Sequence, residues 1–463
     1  SASGNDLVLT VTGNLSQSGG SVITADQLTG SSTGSTTLGG ANHVDTLGSF
    51  SAANLSLTDA QALAVAGPLS VPGSLSLTTT AGALSLSGSL SAGTVSLNSA
   101  SALALANNIT ATTLSLSSGG AITQSGGALS VSATTTVNAG SNAITLAATG
   151  NDFGGTVNLT GGTTQINDQN ALTLGTLSTG ALTVTSHGAL NLGHGSVGGA
   201  LVATSNNGVI TEGSGGLQVS GTSNLQAGSG AITLTDGSNH FAGAVTAAGQ
   251  GVSLVDAGNL TVASLSSGTN GTVNLTAGGT LTLPTSGIDT GTADLTLKAN
   301  GGSLVMPGAL SGANVTLSGR DGITLGSNLT SAGTVTLTSS GGAISQTGGV
   351  LTAGTLTGSS AGTTTLGGAN LIGHLGSFIA GGFSLNNAQA LTIDGPVNGG
   401  ASTVIDSTGN LVLAGNVTGT TTTLGAGGTI SQTSGIVTAT TLNLGSVGGA
   451  SLTGNNLVAD LGT

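Results

Sequence analysis

The five histidines are the residues best suited to metal binding or proton transfer. They lie at His43, His187, His194, His240 and His374. Only His187 and His194 are near each other, and the glycine-rich interval between them does not match the ligand spacing of zinc sites. We therefore predict no metal site. We expect the histidines to lie in turns on the rim of a repetitive fold.

Three aspartates recur in similar surroundings and raise the question of a calcium site. Asp59, Asp168 and Asp256 each precede a pair of apolar residues. If the chain stacks in coils, these carboxylates lie roughly 19–24 Å apart, because each coil rises about 4.8 Å. A calcium ion needs six to eight oxygens within about 2.6 Å, so these aspartates cannot share one. We expect each to close an Asx-turn instead.

General acid–base catalysis needs paired carboxylates, or a carboxylate beside a basic group. Glu212 is the one glutamate, in the run Thr-Glu-Gly-Ser, with no acidic neighbour in the sequence. Asp289 and Asp294 are close in sequence but lack a basic partner. Arg320 and Asp321 are adjacent, which predicts an ion pair on the rim. We predict no catalytic, cofactor-binding or metal-binding residues, no cofactor and no enzymatic activity.

Two other residue types admit a binding or modification role. Four of the five phenylalanines interrupt the general pattern, at Phe50, Phe153, Phe241 and Phe378. Their rings could form an exposed contact for a ligand (a binding foot), but we favour buried rings that fill a widened coil or a corner. Asn-x-[Ser/Thr] sequences occur at Asn54, Asn158, Asn274 and Asn314, among others. They permit glycosylation, and the favoured interpretation is a turn asparagine that enters a strand.

Composition excludes several classes of protein. Charged residues make up 4% of the 463 residues, against roughly 25% in typical soluble proteins. The only basic residues are Lys298 and Arg320, and the net charge is −13, so a basic nucleic-acid-binding surface is excluded. A mean hydropathy of +0.38 argues against disorder. No apolar run approaches the roughly 18 residues of a membrane-spanning helix.

Short apolar–polar–apolar triplets recur along the chain. Examples are residues 55–57, 75–77, 95–97 and 114–116, and their alternation predicts strands with one buried face. A longer motif places Asp or Asn at positions 59, 168, 256 and 387. A second motif places Gln at 17, 124, 346 and 432. Treating the steps within each motif as whole numbers of periods predicts coils of about 21–22 residues and roughly 21 coils.

Coils of this length predict an all-β, three-sided parallel β-helix. About three short strands fit in each period, separated by Gly, Asn and Ser turns. Stacking buries Leu, Val, Ile and Ala in ladders and leaves Ser and Thr outside. We expect a single continuous solenoid over residues 1–463, a rod on the order of 100 Å long. Within it, residues 26–70 resemble residues 354–398.

The run Asn-Asp-Phe-Gly-Gly-Thr-Val-Asn-Leu at 151–159, followed by the triplets at 172–174 and 182–184, resembles the shaft repeats of the filamentous-haemagglutinin family. The stretch Gly-Ala-Ile-Thr-Gln-Ser-Gly-Gly at 120–127 is also similar to that family. The resemblance implies a right-handed helix and export from a Gram-negative bacterium through an outer-membrane two-partner transporter. It also implies a cell-surface or secreted location and a role in adhesion, aggregation or biofilm. The family's Asn-Pro secretion motifs are missing from the sequence, so no secretion or receptor-binding residues carry over.

Two functions fit these observations. The first is a non-catalytic adhesin shaft that contacts a host or abiotic surface, without binding nucleic acid or spanning a membrane. The second is a filament or sheath subunit whose copies stack end to end, because neither the first residues nor the tail at 456–461 carries the groups that protect strand edges. An enzyme lacks the residues, and an ice-binding face would need more regular threonines.

Overall fold

The computed structural model describes residues 6–462, so the strand edge expected at the first residues lies outside the described part. The regular elements are β-strands, and the pairings are parallel, as between Leu7–Val11 and Thr24–Ser32. The stacked strands form β-solenoid turns, about 23 in all. This confirms the predicted fold class, with slightly more turns than expected. None of the described residues forms a helix with the length and apolarity needed to cross a membrane.

Two compact units comprise residues 1–230 and 231–463. Whether they form one continuous solenoid stays a prediction.

The described residues of the first unit form 26 strands that follow one another around successive coils. In chain order they are β1 Leu7–Val11, β2 Leu15–Ser16, β3 Thr24–Ser32, β4 Ser35–Ser51, β5 Asn54–Asp59, β6 Leu63–Val65, β7 Leu69–Thr79, β8 Leu84–Leu86, β9 Leu90–Ser99, β10 Leu103–Leu105, β11 Ile109–Ser118, β12 Ile122–Gln124, β13 Leu129–Val131, β14 Thr135–Asn138, β15 Ile144–Leu146, β16 Asp152–Phe153, β17 Thr156–Gly161, β18 Thr164–Asp168, β19 Leu172–Thr179, β20 Leu182–Ser186, β21 Leu190–Asn191, β22 His194–Val197, β23 Leu201–Thr204, β24 Ile210–Thr211, β25 Leu217–Val219 and β26 Ser223–Gln226.

The second unit is built in the same way. Its strands are β27 Ile232–Leu234, β28 His240–Phe241, β29 Val245–Ala248, β30 Val252–Asp256, β31 Leu260–Ser266, β32 Val273–Ala277, β33 Leu281–Thr282, β34 Ile288–Asp289, β35 Leu295–Ala299, β36 Leu304–Met306, β37 Leu310–Gly312, β38 Val315–Gly319, β39 Gly322–Leu325, β40 Leu329–Ser339, β41 Ala343–Gln346, β42 Leu351–Ser360, β43 Thr363–Ile379, β44 Gly382–Asn387, β45 Leu391–Ile393, β46 Val397–Asn398, β47 Ser402–Ser407, β48 Leu411–Leu413, β49 Val417–Ala426, β50 Ile430–Gln432, β51 Val437–Ser446, β52 Ala450–Ser451 and β53 Leu457–Leu461.

A regular coil contributes one segment to each of three stacks. In the first unit the segments of one coil are 69–71, 74–79 and 84–86, and the first two belong to β7, which bends at residues 72–73. We call these stacks faces 1, 2 and 3 of that unit. Each segment pairs with its counterpart one coil later, as Leu69 with Leu90, Leu75 with Val95 and Leu84 with Leu103. The three-sided arrangement is therefore confirmed.

Alternation of side chains builds the core. In the second unit Leu275, Leu297, Leu317 and Leu337 occupy one inward column, and each is 0% exposed. Their neighbours in the strand are polar and point outward, because successive side chains of a strand point to opposite faces. Burying such a leucine contributes about 1.5–3 kcal/mol. The predicted aliphatic ladders are confirmed.

The coils are shorter than predicted. On face 3 of the first unit, eight steps of one coil each join Leu63 to Ser223. In the second unit, nine such steps join Val252 to Gln432. Both series average about 20 residues per coil, the repeat length of this solenoid. The predicted coil of 21–22 residues is therefore too long.

Each unit contains one exceptionally long strand at the predicted internal repeat. These strands are Ser35–Ser51 and Thr363–Ile379, both 17 residues long. Each carries a register shift at the same place, before Asn42 in the first and before Asn370 in the second. The repeated sequences therefore build the same long strand with the same register shift.

Candidate functional site

Glutamine–asparagine pairs are the most regular polar feature of the interior. Gln124 Nε2 donates to Asn151 Oδ1 at 2.8 Å, and Asn151 Nδ2 donates back to Gln124 Oε1 at 2.9 Å. The same reciprocal pair joins Gln17 to Asn42, Gln346 to Asn370 and Gln432 to Asn456. All four glutamines belong to the sequence motif identified above, but their asparagine partners were not predicted. The signal that could have found them is the spacing, which is 24–27 residues in every pair.

The buried asparagine completes its hydrogen bonding with the backbone. Asn151 is 0% exposed. Its Oδ1 accepts from the N–H of Leu129 at 2.9 Å, and its Nδ2 donates to the carbonyl of Leu146 at 3.2 Å. Asn370 makes the matching bonds to Leu351 and Leu366. Because a buried amide without partners is destabilising, this network holds the coil in one arrangement.

The recurrent Asx residues also connect neighbouring coils, because each one bonds both to its own turn and to the preceding coil. Asp168 Oδ1 accepts from the N–H of Asn170 at 2.7 Å, which closes the predicted Asx-turn. Its Oδ2 accepts from the N–H of Phe153 at 2.7 Å, in the preceding coil. Asp59 and Asp256 each make the equivalent pair of bonds. The Asx-turns are confirmed, and the bond to the preceding coil is an additional function that local sequence did not reveal.

Asn387 occupies the fourth Asx position and shows how a neutral side chain serves there. Its Oδ1 accepts from the N–H of Ile372 at 2.8 Å. Its Nδ2 donates to the carbonyls of Ile372 and Gln389, both at 3.0 Å. The turn is therefore held through a carbonyl instead of an N–H group, and the site does not depend on charge.

Burial alters the ionisation of two of these carboxyl groups. Loss of hydration raises the pKa of Asp59 above its usual value, against the opposing effect of the N–H groups of Val44 and Gln61 and of nearby His43. Loss of hydration likewise raises the pKa of Asp168. There the N–H groups of Phe153 and Asn170 oppose it, Asp152 adds to it and His187 lowers it. Both carboxyl groups are therefore protonated more readily in the folded chain.

Successive copies of the Asx motif lie on different faces of the solenoid. Asp59 lies on face 2, where it pairs with Thr79. Asp168 lies on face 3, in strand β18 beyond Ile166, which pairs with Leu146. Their separation is therefore about five and a third coils, and the assumption of five whole coils was wrong. In the second unit Asp256 and Asn387 also lie on successive faces, which explains the overestimated coil length.

The histidines occupy the outer surface, but the prediction that all lie in turns is wrong. His187 is in a turn, whereas His43, His194, His240 and His374 are in strands. His374 Nδ1 lies 2.6 Å from Asp394 Oδ2, and both side chains are about half exposed. His240 Nδ1 lies 3.5 Å from Asp256 Oδ1.

The remaining ionisable groups are dispersed. Arg320 and Asp321 form a loose, exposed ion pair at 4.0 Å, which confirms the prediction but contributes at most about 1 kcal/mol. The hydroxyl of Ser311, with the N–H of Gly291, lowers the pKa of Asp289. Asp294 accepts from Asn314, and Glu212 is half-buried. Within residues 6–462, no three acidic or histidine side chains are grouped as a metal site requires.

The phenylalanines lie inside the coils rather than on the surface. All five, including Phe383, are at most 2% exposed. Phe50 and Phe378 face Gly30 and Gly358, where an added Cβ would lie about 3.0 and 2.9 Å from the ring. Phe378 also contacts Phe383, with ring centroids 4.8 Å apart. The rings therefore fill the interior, as expected, and they are not exposed binding feet.

Asparagines of the Asn-x-[Ser/Thr] sequences connect neighbouring coils. Asn54 and Asn314 begin or precede strands, and their Oδ1 atoms accept from the N–H groups of Ser74 and Thr334. This confirms the turn asparagine at those two positions. Asn158 and Asn274 instead lie within strands β17 and β32, so the same interpretation is wrong for them.

Outward side chains form continuous polar columns. On face 2 of the first unit the column is Ser56, Ser76, Ser96, Ser115, Thr136 and Asn158. A column of the second unit is Ser253, Asn274, Thr296, Thr316, Thr336 and Thr357. Successive members lie about 4.8 Å apart, the spacing of paired strands. The surface therefore repeats a hydroxyl or amide group at each coil.

Two shallow grooves lie beside the bends of long strands. One, of about 410 Å³, runs across the coils of β11, β13 and β16 and is lined by Thr110, Thr112, Ser130, Ser132 and Asp152, among others. The other, of about 590 Å³, lies in the second unit across the coils of β49, β51 and β53.

Comparison with known proteins gives one family match. A family described as repeats of unknown function (DUF5649) matches residues 52–108, 92–160 and 179–248. The three matches, of which the first two overlap, each span about three coils, as expected for a sequence whose repeat is the coil. The match supports a β-helical repeat protein, without naming the family that the sequence resembles. Neither the curated proteins nor the solved structures give any match.

Proposed function

We propose that this chain is a non-catalytic structural and adhesive module, the shaft of a secreted bacterial adhesin. The observation that carries the proposal is the set of outward polar columns, such as the one from Ser253 to Thr357. A group repeated at every coil can make many weak contacts at once. Simultaneous contacts strengthen attachment far beyond the strength of each one.

The resemblance to filamentous-haemagglutinin shafts supports an extracellular setting. It favours a Gram-negative source and export by an outer-membrane two-partner transporter. The net charge of −13 fits a secreted chain that stays separate from nucleic acid and from other acidic polymers. Attachment would then depend on polar contacts with a host or abiotic surface.

Display of the chain on a non-adherent bacterial cell tests the proposal. We expect cells that carry it to attach to host cells or to a hydroxylated abiotic surface more than cells that carry an unrelated β-solenoid. Replacing Thr296, Thr316 and Thr336 by Asp should weaken attachment, because like charges along the column hold water and repel acidic surfaces. A matched control replaces Val305, Thr324 and Ser345, an outward column of another face.

Attachment no greater than that of the unrelated solenoid contradicts the proposal. The alternative function, a self-assembling filament or sheath, is distinguished by electron microscopy and sedimentation of the purified chain. Long fibres that form without any added surface would favour assembly over adhesion.

A further inference from the structure

The two grooves are built by the same tripeptide in separate units. Strand β11 begins Ile-Thr-Ala-Thr-Thr-Leu, and strand β51 begins Val-Thr-Ala-Thr-Thr-Leu. In both grooves the two threonines of Thr-Ala-Thr, at 110 and 112 or at 438 and 440, line the floor. The neighbouring coil repeats the hydroxyls, through Ser130 and Ser132 in the first unit. In the second unit it does so through Thr418 and Thr420.

The first groove presents four exposed hydroxyls to a ligand; in the second, Thr420 and Thr440 are exposed and Thr418 and Thr438 are half-buried. In the part of the chain that the structure describes, Thr110, Thr112, Ser130 and Ser132 are exposed, and none of their hydroxyls hydrogen bonds to the protein. The hydroxyl of the neighbouring Thr113, by contrast, donates to Thr94 at 3.2 Å. Each free hydroxyl can both donate and accept.

The backbone beside the groove is already fully used. The N–H groups of Ser132 and Ala133 donate to the carbonyls of Ala111 and Thr112, and that of Gly154 donates to Val131. In the first groove an extended peptide therefore finds no free strand edge to pair with. A partner must bind through the hydroxyl groups.

Charge restricts the partner further. Residues 1–230 contain no lysine or arginine, and the one charged side chain in the lining of the first groove is Asp152, which accepts from Asn170. An anionic polymer would lose hydration without gaining a cation in exchange. The shape requires a linear partner, because each groove continues over three or four coils, on the order of 15 Å.

From these observations we infer that the two grooves bind a linear, neutral polysaccharide, whose own hydroxyls pair with the Thr-Ala-Thr rows. Asp152 accepts from one of its hydroxyl groups in the first groove. This inference rests on the proposed adhesive function and names the class of ligand that the surface recognises. Each unit supplies one such site.

Affinity electrophoresis and titration calorimetry of the purified chain test the inference. The probes are linear neutral glucans and mannans, with polygalacturonate as the anionic comparison. We expect retention by at least one neutral glycan and none by polygalacturonate. The double variant Ser130→Phe, Thr438→Phe fills both grooves and should lower the affinity at least roughly tenfold, the effect of losing two or more hydrogen bonds.

Two further variants keep the test decisive. Ser85→Phe with Thr324→Phe places the same rings at outward positions on other faces and should leave the affinity unchanged. Thr112→Val with Thr440→Val removes hydroxyls at constant volume and should weaken binding even if the bulky variant fails to fold.

Three outcomes would overturn the inference: no neutral glycan retained, stronger retention by polygalacturonate, or equal loss in the groove and control variants. Cell attachment measured on the same variants separates this failure from that of the adhesive function. Attachment that persists in groove-filled variants leaves the adhesive function standing and assigns it to other columns.

Discussion

At the scale of single residues, buried amides and carboxylates hold neighbouring coils together through several hydrogen bonds each. Asn151 makes four hydrogen bonds from a fully buried position, two with Gln124 and two with backbone groups of Leu129 and Leu146. An apolar residue of similar size would leave several of those partners without water or protein to bond to. Most of the loss in stability comes from leaving these buried partner groups unpaired, and less of it from the missing hydrogen bonds themselves.

Asn151→Leu should therefore destabilise the first unit by about 2–4 kcal/mol. The expected sign is faster hydrogen exchange at the Leu129 amide, together with a lower melting temperature by circular dichroism. Asn98→Leu is the matched control, because Asn98 is an exposed outward residue of strand β9. Equal effects of the two substitutions would show that the amide network does not hold the coil.

The buried aspartates predict an unusual response to pH. A carboxyl whose pKa is raised by folding makes the fold more stable below its usual pKa of 3.8 and less stable as pH rises through the raised value. As the pH rises from the usual pKa to the raised pKa, the free energy of unfolding should decrease. In that range Asp168 is ionised in the unfolded chain and still protonated in the folded chain. In Asp168→Asn that part of the decline should disappear, since Asn387 shows that a neutral side chain fits the site.

The control for this prediction is Asp26→Asn, which removes one exposed carboxylate. Chemical denaturation of both variants across the acidic range gives the comparison. If the free energy of unfolding of the two variants depends on pH in the same way, the burial of Asp168 does not govern the pH dependence of stability.

At the scale of elements, the inward column of leucines is the feature that tolerates change least. Leu317 lies between Leu297 and Leu337 and is 0% exposed. Leu317→Asp would place an unpaired charge among aliphatic side chains, at a cost of at least about 3 kcal/mol. We expect loss of hydrogen-exchange protection in strands β35, β38 and β40, while distant coils keep theirs.

Thr316→Asp provides the comparison, because residue 316 points outward from the same strand. It should leave exchange almost unchanged. Loss of protection throughout the second unit in Leu317→Asp would mean that its coils unfold as one block, contrary to the expectation of a neighbour-to-neighbour sum.

The same elements show how far sequence reasoning extends. Alternation in triplets such as 75–77 and 95–97 predicts parallel ladders, because each inward position needs an apolar neighbour one coil away. The coil length was overestimated, since local similarity between Asp59 and Asp168 carries no information about which face each occupies. The asparagine partners of Gln17 and Gln124 escaped notice for a related reason. They lie more than one coil away, and only the stacked structure brings them into contact.

At the scale of the whole molecule, a coil is a unit that can be removed. Leu90 pairs with Ile109 in the next coil, so deletion of residues 90–108 brings Ile109 into the place of Leu90. We expect this deletion to fold with strand content and melting temperature close to those of the parent. Deletion of residues 90–99 removes half a coil and moves later segments to the wrong faces, so it should aggregate or melt much earlier. Equal behaviour of the two deletions would refute the stacking register.

The burial of the phenylalanines has a consequence for how long such a chain survives among digestive enzymes. Trypsin-like enzymes cut after lysine or arginine, and chymotrypsin-like enzymes favour aromatic residues. Lys298 lies in strand β35, whose backbone pairs with coils on both sides, and the five aromatic rings are enclosed. Arg320, in a surface turn, is the one conspicuous point of attack in the part of the chain that the structure describes. We therefore expect the folded chain to resist these two classes of enzyme, with first cleavage after Arg320.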